Sequence, residues 1–188
     1  TISDRDWSSD VCSSDLPTLD RKTCGMSAQD YVVLAARPSM GKTALALQVT
    51  RFNAKAGKRV LWFSLDMSKE GLFQRLVAAE SGVELGHIRT GQFLGSEYAA
   101  VANATKKLSA LDVITYDAAC TEIDIIRKVR KIKPDLVIVD FLQKVVPSRK
   151  SSNRVGDYAD VSAIIKNILK ERDIPGLILC QLSRDNEK

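Results

Sequence analysis

Short apolar runs alternate with longer amphipathic stretches along most of this chain. The short runs are bounded by polar or turn-forming residues, which is typical of buried strands. The longer stretches place apolar residues at helical spacing, so that one face is apolar and the other polar. The pattern predicts these elements in chain order: strand 31–37, helix 42–55, strand 59–64, helix 68–80, a helix near 96–109, strand 113–116, helix 122–131, strand 136–140, helix 157–172 and strand 176–181.

Strands that alternate with helices predict an α/β fold, in which helices cover both faces of a parallel sheet. A length of 188 residues is enough for one such domain with a substantial core, so we expect a single domain. Thr121 and Asp124 have the spacing of a capping box at the start of helix 122–131. The chain has no apolar run long enough to span a membrane, about eighteen residues, and no apolar signal-peptide core, which favours a cytoplasmic protein.

A phosphate-sized loop joins the first predicted strand to the first predicted helix. Its sequence, Ala36-Arg-Pro-Ser-Met-Gly-Lys-Thr43, follows the pattern GxxxxGK[ST] except that Ala36 replaces the first glycine. In such a loop the backbone N–H groups and a helix N-terminus face one concavity, which suits a triphosphate. Gly41 lets the backbone approach closely, Lys42 reaches the β- and γ-phosphates, and Thr43 places its hydroxyl on Mg²⁺. The residues predicted to bind ATP are Arg37, Pro38, Ser39, Met40, Gly41, Lys42, Thr43 and Ala44.

The apolar strand 136–140 ends in a carboxylate, that of Asp140. A central parallel strand of this kind delivers its last side chain to the same sheet edge as the phosphate loop. We therefore predict that Asp140 holds Mg²⁺ through its water shell, beside Thr43. Many buried strands end in aspartate, so this assignment depends on the phosphate loop that precedes it.

Five motifs in a fixed order extend the argument beyond nucleotide binding. They are ARPSMGKT at 36–43, FSLDMS at 63–68, IRTG at 88–91, VDFLQ at 139–143 and QLSR at 181–184. Together they resemble the C-terminal motor domain of replicative DNA helicases of the DnaB family, from about Leu19 to the last residue. The resemblance implies a RecA-like P-loop NTPase that hydrolyses ATP with Mg²⁺ and moves along single-stranded DNA as part of a hexameric ring. Primase and a helicase loader are further candidate partners.

The resemblance also implies roles for two polar residues at strand ends. Asp66 stands where the family usually has a glutamate that orients the attacking water, and Gln181 stands where the family has an amide that senses the γ-phosphate and acts on the loop after it. Aspartate is one methylene shorter, and a misplacement of roughly 1 Å can cost about a hundredfold in rate. Slow hydrolysis, compensation by the backbone, and binding without turnover are therefore all open. The predicted catalytic residues are Asp66, Lys42, Asp140 and Gln181.

The first sixteen residues fit none of these patterns. They lack helical or strand periodicity, match nothing in the helicase family and resemble a translated sequencing adapter. We expect residues 1–16 to be an assembly artefact or, alternatively, a disordered leader, and residues 17–188 to be a partial RecA-like ATPase domain. The family's arginine finger would lie beyond Lys188. Because a finger supplied in trans is worth about 10³–10⁵ in rate, the resemblance implies that the fragment alone is a poor ATPase.

The charge of the chain favours a polyanionic partner. The whole chain carries +5, and without residues 1–16 there remain 27 Lys and Arg against 19 Asp and Glu, or +8. One basic cluster, 127–133, lies on a predicted helix and is expected to be a solvated face. A second lies in the polar loop after Asp140 and is predicted to contact DNA phosphates, with an ordinary surface loop as the alternative. The predicted DNA-binding residues are Arg149, Lys150, Arg154 and Arg184.

Two other functions remain open. A RecA/RadA-type recombinase is also an ATPase that acts on DNA, although the spellings ARPSMGKT and DFLQ favour the helicase. A nucleotide-binding switch without productive turnover is favoured by Asp66 in place of glutamate. The four cysteines have no CxxC spacing and the chain has one histidine, so neither a zinc site nor a disulfide framework is indicated.

Overall fold

The computed structural model describes residues 11–149 and 153–182. The strands are β1 (Tyr31–Ala36), β2 (Val60–Ser64), β3 (Val113–Tyr116), β4 (Leu136–Asp140) and β5 (Gly176–Gln181). The helices are α1 (Pro17–Thr23), α2 (Lys42–Lys55), α3 (Lys69–Ser81), α4 (Leu85–Thr90), α5 (Glu97–Ser109), α6 (Glu122–Ile132) and α7 (Arg154–Arg172). A short 3₁₀ turn spans Leu142–Lys144.

The strands form one parallel five-stranded sheet in the order β1-β5-β4-β2-β3. In this register Ser64 lies opposite Asp140, and Ala36 lies opposite Gln181. The carboxyl ends of β1, β2, β4 and β5 therefore meet at one edge. In open α/β sheets this edge is where ligands bind.

Two apolar layers, one on each face of the sheet, form the core. α2, α3 and α5 pack on one face, whereas α6 and α7 pack on the other. The adjacent residues Trp62 and Phe63 are both fully buried but belong to different layers, since successive side chains of a strand point to opposite faces. The covered parallel sheet explains why β2 and β4 are apolar along nearly their whole length, and it confirms the predicted α/β class.

Every predicted strand and helix is present, with small shifts at the ends. The capping box of α6 is confirmed, because Thr121 and Asp124 each bond the other's backbone N–H. α7 begins at Arg154 rather than 157, because the side chain of Asn153 caps it by accepting a hydrogen bond from the Gly156 N–H at 3.2 Å. α1 and α4 were not predicted, since both are too short for a periodic pattern to show.

The described residues 11–16, which precede the expected start of the domain, also pack against α1 and α2. Cys12 is 1% exposed. The buried carboxylate of Asp20 accepts a hydrogen bond from the Ser13 hydroxyl at 2.6 Å, and Asn53 exchanges two hydrogen bonds with the backbone of Ser13. Polar side chains of α1 and α2 thus form hydrogen bonds with the polar groups of this irregular segment. Hydrophobic periodicity cannot predict such a segment. Residues 1–10 of the expected leader lie outside the described residues.

None of the helices within these described ranges combines the length and apolar character needed to cross a membrane. The four cysteines, Cys12, Cys24, Cys120 and Cys180, are all free thiols. Burial raises the pKa of the Cys120 thiol to about 11, so it stays protonated at neutral pH.

Candidate active site

A cavity of about 500 Å³ opens at the sheet edge where the strand ends meet. It is lined by Pro38, Ser39, Gly41, Lys42, Thr43, Ala44, Asp66, Met67, Arg75, Asp140, Phe141 and Gln181. All four predicted catalytic residues line it, together with six of the eight residues predicted to bind ATP. Arg37 and Met40 are not part of the lining, and Met40 is 71% exposed. The fold therefore gathers the predicted catalytic groups in one place.

The loop before α2 has the backbone that a phosphate site needs. Ser39 and Gly41 have φ values of 62° and 87°, in the left-handed region, where glycine has no steric penalty. α2 begins directly after Gly41, with neither a side-chain N-cap nor an acidic residue in its first turn. Its first N–H groups and the positive end of its dipole are thus available to an anion in the cavity.

Lys42 is held at the mouth of this loop. Its ammonium donates hydrogen bonds to the carbonyl oxygens of Ala36 at 2.9 Å and of Arg37 at 3.1 Å. These contacts keep the charge beside the end of β1 and close to the loop backbone. Burial raises the pKa of the nearby Asp140 carboxyl, and the Lys42 ammonium partly opposes that rise, which is consistent with its position over the cavity.

Thr43 and Asp140 form the oxygen pair that the sequence predicts. The Thr43 hydroxyl donates to a carboxylate oxygen of Asp140 at 2.9 Å. Asp140 is 3% exposed, and burial raises its pKa, an effect that the Thr43 bond opposes and the Asp66 charge reinforces. A buried carboxylate next to a hydroxyl suits Mg²⁺, which prefers oxygen ligands and keeps several waters or phosphate oxygens. Within the described ranges no cluster of three or more His, Cys, Asp or Glu offers a site to a metal bound by protein alone.

Asp66 follows β2 and lies on the more open side of the cavity, with a half-exposed side chain. One of its oxygens is 3.4 Å from the ammonium of Lys144, which is also half exposed. An ion pair this exposed is worth only about 0–1 kcal/mol, so the carboxylate is not locked in place. Sequence patterns did not predict this contact, because Asp66 follows β2 whereas Lys144 lies in the turn after β4. No local pattern links the two residues.

Arg75 is a site residue that sequence reasoning missed. It lies on α3 and lines the cavity, and its charge partly opposes the rise that burial causes in the pKa of Asp140. Its Nε atom is buried and has no hydrogen-bond partner among the described residues. A buried guanidinium nitrogen beside a phosphate loop fits an anionic oxygen as its acceptor. No local signal marks Arg75, because the residue reaches the cavity only through the packing of α3.

Gln143 is a second missed residue. Its side-chain amide donates to the carbonyl oxygen of Gln181 at 3.1 Å and accepts from the Gln181 N–H at 3.2 Å. The hydroxyl of Tyr158 donates to the Gln143 carbonyl oxygen at 3.0 Å. Gln143 thus joins the ends of β4 and β5 to α7. The motif VDFLQ contains this residue, but its sequence position does not reveal the partner.

The comparison with known families agrees with this geometry. Residues 12–188 match the family described as the DnaB-like helicase C-terminal domain. The chain belongs to this family. The match decides against the recombinase alternative. In this DnaB-like domain, the phosphate loop, Asp140 and Gln181 stand at one sheet edge.

Relatives of this DnaB-like domain are replicative helicases. The chain is 37% identical to the protein named Probable replicative DNA helicase of Trieres chinensis, over 93% of this chain and 40% of the relative. It is 33% identical to Replicative DNA helicase DnaB of Geobacillus stearothermophilus, over 90% of this chain and 39% of the relative. The chain therefore spans about two fifths of the length of these relatives.

Solved structures of the same kind share the fold. One is that of a DnaB-like replicative helicase, described with its interactions with primase, and it has a TM-score of 0.87 and 28% identity over 92% of this chain and 43% of its own. The other is the structure of an ATPase domain, with a TM-score of 0.87 and 28% identity over 92% of this chain and 64% of its own. The RecA-like ATPase fold is thereby confirmed.

The basic residues that the sequence singled out lie in two places, near the start of α7 and on α6. Arg149 and Arg154 are exposed on either side of the start of α7, and Arg154 lines a cavity of about 490 Å³ with Gln143 and Tyr158. Lys150 and Arg184, the other predicted DNA-binding residues, lie outside the described residues. On α6, Lys128 lies over the ring of Tyr116, 3.4 Å from its centroid, and other basic residues of the helix are solvated or paired.

Proposed function

We propose that this domain is the ATP-hydrolysing motor of a replicative DNA helicase and couples ATP hydrolysis to translocation on single-stranded DNA. The contact between Thr43 and Asp140 carries the proposal, because it joins a phosphate-loop hydroxyl to a buried carboxylate. A Mg²⁺-triphosphate site requires this pair, whereas an ordinary strand-to-helix turn does not. Membership of the DnaB-like family supports the same function.

ATP is held through its phosphates. The N–H groups of the loop and of the start of α2 face the β- and γ-phosphates, and Lys42 supplies a positive charge to them. Thr43 and Asp140 would hold Mg²⁺, the carboxylate through water. When bound, the ion neutralises charge on the β- and γ-phosphate oxygens during phosphoryl transfer.

Three residues surround the γ-phosphate end of the site. Asp66 accepts a hydrogen bond from the attacking water and holds the water in line with the γ-phosphorus. A new phosphorus–oxygen bond forms as the bond to the β,γ-bridging oxygen breaks, so that ADP leaves with that electron pair and a proton of the water passes to the released phosphate. Arg75 donates to the negative charge on the γ-phosphate oxygens, and the Gln181 amide bonds one of those oxygens while they are present.

DNA is held by the basic segment after β4, with Arg149, Lys150 and Arg154, and by Arg184 after β5. These residues contact the phosphates of a single strand, so binding does not depend on sequence. The exposure of Arg149 and Arg154, and the place of Arg154 in the lining of the cavity beside Gln143, support this assignment.

We further propose that the protein assembles as a hexamer and acts in the cytoplasm, with primase and a helicase loader as partners. The primase interactions in the description of the solved relative support the first of these partners. An arginine finger from the neighbouring subunit would complete each site, so turnover should depend on assembly.

The test is ATP turnover by the full protein that carries this domain, with and without single-stranded DNA, beside nucleotide binding by the 188-residue chain. Lys42→Ala should abolish binding, and Lys106→Ala, an exposed lysine on α5, is the matched control. Hydrolysis stimulated by DNA supports the motor. Tight binding without turnover under any condition favours the switch, and unchanged ATP affinity in Lys42→Ala contradicts the phosphate site itself.

A further inference from the structure

The turn Leu142–Lys144 lies between the cavity and the basic segment. It follows Asp140 closely and leads into the segment 145–149. Leu142 and Val145 are 7% and 1% exposed and belong to the apolar layer under α6 and α7. A turn anchored in the core at both ends moves as a unit, since close-packed surroundings do not deform continuously.

On the cavity side, this turn is bound to β5 by Gln143 alone among the hydrogen bonds of the described residues. The ladder between β4 and β5 ends at the pair Val139 and Ile178. Beyond that pair, the Gln143 amide bonds both the N–H and the carbonyl oxygen of Gln181, at 3.2 Å and 3.1 Å. The side chain thus takes the place of a strand partner for the last residue of β5. A displacement of the Gln181 backbone must carry Gln143 with it or leave these groups unpaired, which is unfavourable.

On the other side, the turn is bound to α7. The Tyr158 hydroxyl donates to the Gln143 carbonyl oxygen at 3.0 Å. Tyr158 lies little more than one helical turn after Arg154, the exposed basic residue at the start of α7. A shift of the Gln143 main chain therefore acts on the part of α7 that carries this arginine.

The segment after the turn has its own attachments to the start of α6. The Val146 N–H donates to the Cys120 carbonyl oxygen at 3.0 Å, and the Ser148 N–H donates to the Glu122 carboxylate at 3.1 Å. The Ser148 hydroxyl also donates to this carboxylate, whose residue is 3% exposed. These hydrogen bonds must shift or open if the turn moves, so they report its movement.

We propose that Gln143 is a positioning residue that passes the nucleotide state sensed at Gln181 to the segment 145–149 and to the start of α7. This inference rests on the proposed function. It differs from the route that the family resemblance implies, in which Gln181 acts on the loop after itself. Here the loop after β4 responds as well, and a single side-chain amide makes the connection.

Hydrogen exchange on the 188-residue chain tests the proposal. Amide exchange in 145–149 and 154–158 is measured with Mg²⁺ and either ADP or the non-hydrolysable analogue adenylyl imidodiphosphate. In the wild type, exchange should differ between the two nucleotides by at least about fivefold, the lower end of typical allosteric couplings. Gln143→Ala should bind both nucleotides within about twofold of wild type but lose this difference, because its amide contacts the protein and not the phosphate.

Two further variants sharpen the test. Gln92→Ala, an exposed glutamine after α4, is the matched control and should keep the difference. Tyr158→Phe removes only the hydroxyl that bonds Gln143, so it should abolish the difference in 154–158 and preserve it in 145–149. It also tests the proposal if Gln143→Ala fails to fold.

Three results overturn the inference. A difference between nucleotides that persists in Gln143→Ala, or in 154–158 of Tyr158→Phe, shows that the signal takes another route. Equal exchange in the wild type with both nucleotides bound shows that no signal reaches this segment. If the wild type binds neither nucleotide, the proposed function itself fails, and nucleotide binding measured alongside distinguishes this case from the others.

Discussion

The Thr43 hydroxyl donates a hydrogen bond to Asp140 at 2.9 Å although the two residues are 97 positions apart in the chain. Thr43 begins α2 and Asp140 ends β4, and the two are brought together because β4 lies inside the sheet, next to β5 and close to β1. The bond ties the loop before α2 to the end of β4. It also leaves the carboxylate buried, and burial raises its pKa and so disfavours the ionised form.

Asp140→Asn is expected to raise the thermal stability of the chain and to abolish its stabilisation by Mg²⁺ with ATP. Burial raises the pKa of Asp140 above the ordinary 3.8, so folding disfavours the ionised carboxylate, and an amide of the same shape removes that cost. The cost is absent below the unfolded pKa, grows as the pH rises and is complete above the folded pKa. The difference in melting temperature between variant and wild type should therefore shrink as the pH falls towards 3.8.

Calorimetry of both proteins over this pH range, with and without Mg²⁺ and ATP, measures the effect. Asp160→Asn, at an exposed position on α7, is the matched control and should change neither quantity. A lower melting temperature of Asp140→Asn without ligand, or a retained shift with Mg²⁺ and ATP, would contradict the assignment.

Asp66→Glu is expected to raise turnover by about tenfold to a hundredfold, since the longer side chain restores the reach that the family glutamate has. The KM for ATP should stay within about twofold, because in the proposed function this carboxylate orients water and does not bind the nucleotide. Steady-state hydrolysis by the full protein with single-stranded DNA measures both, and Asp66→Asn is the negative control. Equal turnover of Asp66→Glu and wild type would show that aspartate reaches the water by itself.

Lys144→Ala is expected to raise turnover modestly, by no more than about fivefold, because it frees Asp66 from an exposed ion pair worth about 0–1 kcal/mol. The melting temperature should change little for the same reason. Hydrolysis by the single variant and by Lys144→Ala combined with Asp66→Asn separates this effect from others. A rise in turnover that persists without the Asp66 carboxylate would mean that Lys144 acts by another route.

Arg75→Met is expected to weaken binding of ATP relative to ADP by roughly tenfold to a hundredfold, the value of a charge-assisted hydrogen bond to the γ-phosphate. Because the Nε atom has no partner among the described residues, the substitution should not lower the melting temperature of the chain without nucleotide. Titration calorimetry measures the affinity ratio, and Arg127→Met on the exposed face of α6 serves as control. An unchanged affinity ratio would contradict a contact between Arg75 and the γ-phosphate.

Neutralising Arg149, Lys150 and Arg154 together should weaken binding to every single-stranded sequence alike. The plot of log affinity against log salt should lose about 2 units of slope, since each phosphate contact contributes about 0.7. The matched control removes the same charge from α6 and the residue after it, at Arg127, Lys131 and Lys133. Equal salt slopes for the two triple variants would show that the segment after β4 does not contact DNA and is an ordinary surface loop.

The amino-acid sequence alone determined the elements and the main chemistry of the site. β2 and β4 are buried on both faces, so their continuous apolar runs are visible without a structure. The phosphate loop and the capping box of α6 depend on residues within a few positions of one another, which is why local patterns predict them.

Only the tertiary structure decided which distant side chains meet. The sheet order places β5 between β1 and β4, and this neighbourhood creates the amide link between Gln143 and Gln181. The ion pair of Asp66 with Lys144, the Arg75 Nε that has no hydrogen-bond partner in the described part of the chain, and the packing of residues 11–16 likewise depend on contacts between separate elements. Periodicity along the chain records which face of an element is buried. It carries no information about the polar group of another element that lies opposite that face, because this is set by the order in which the strands pair.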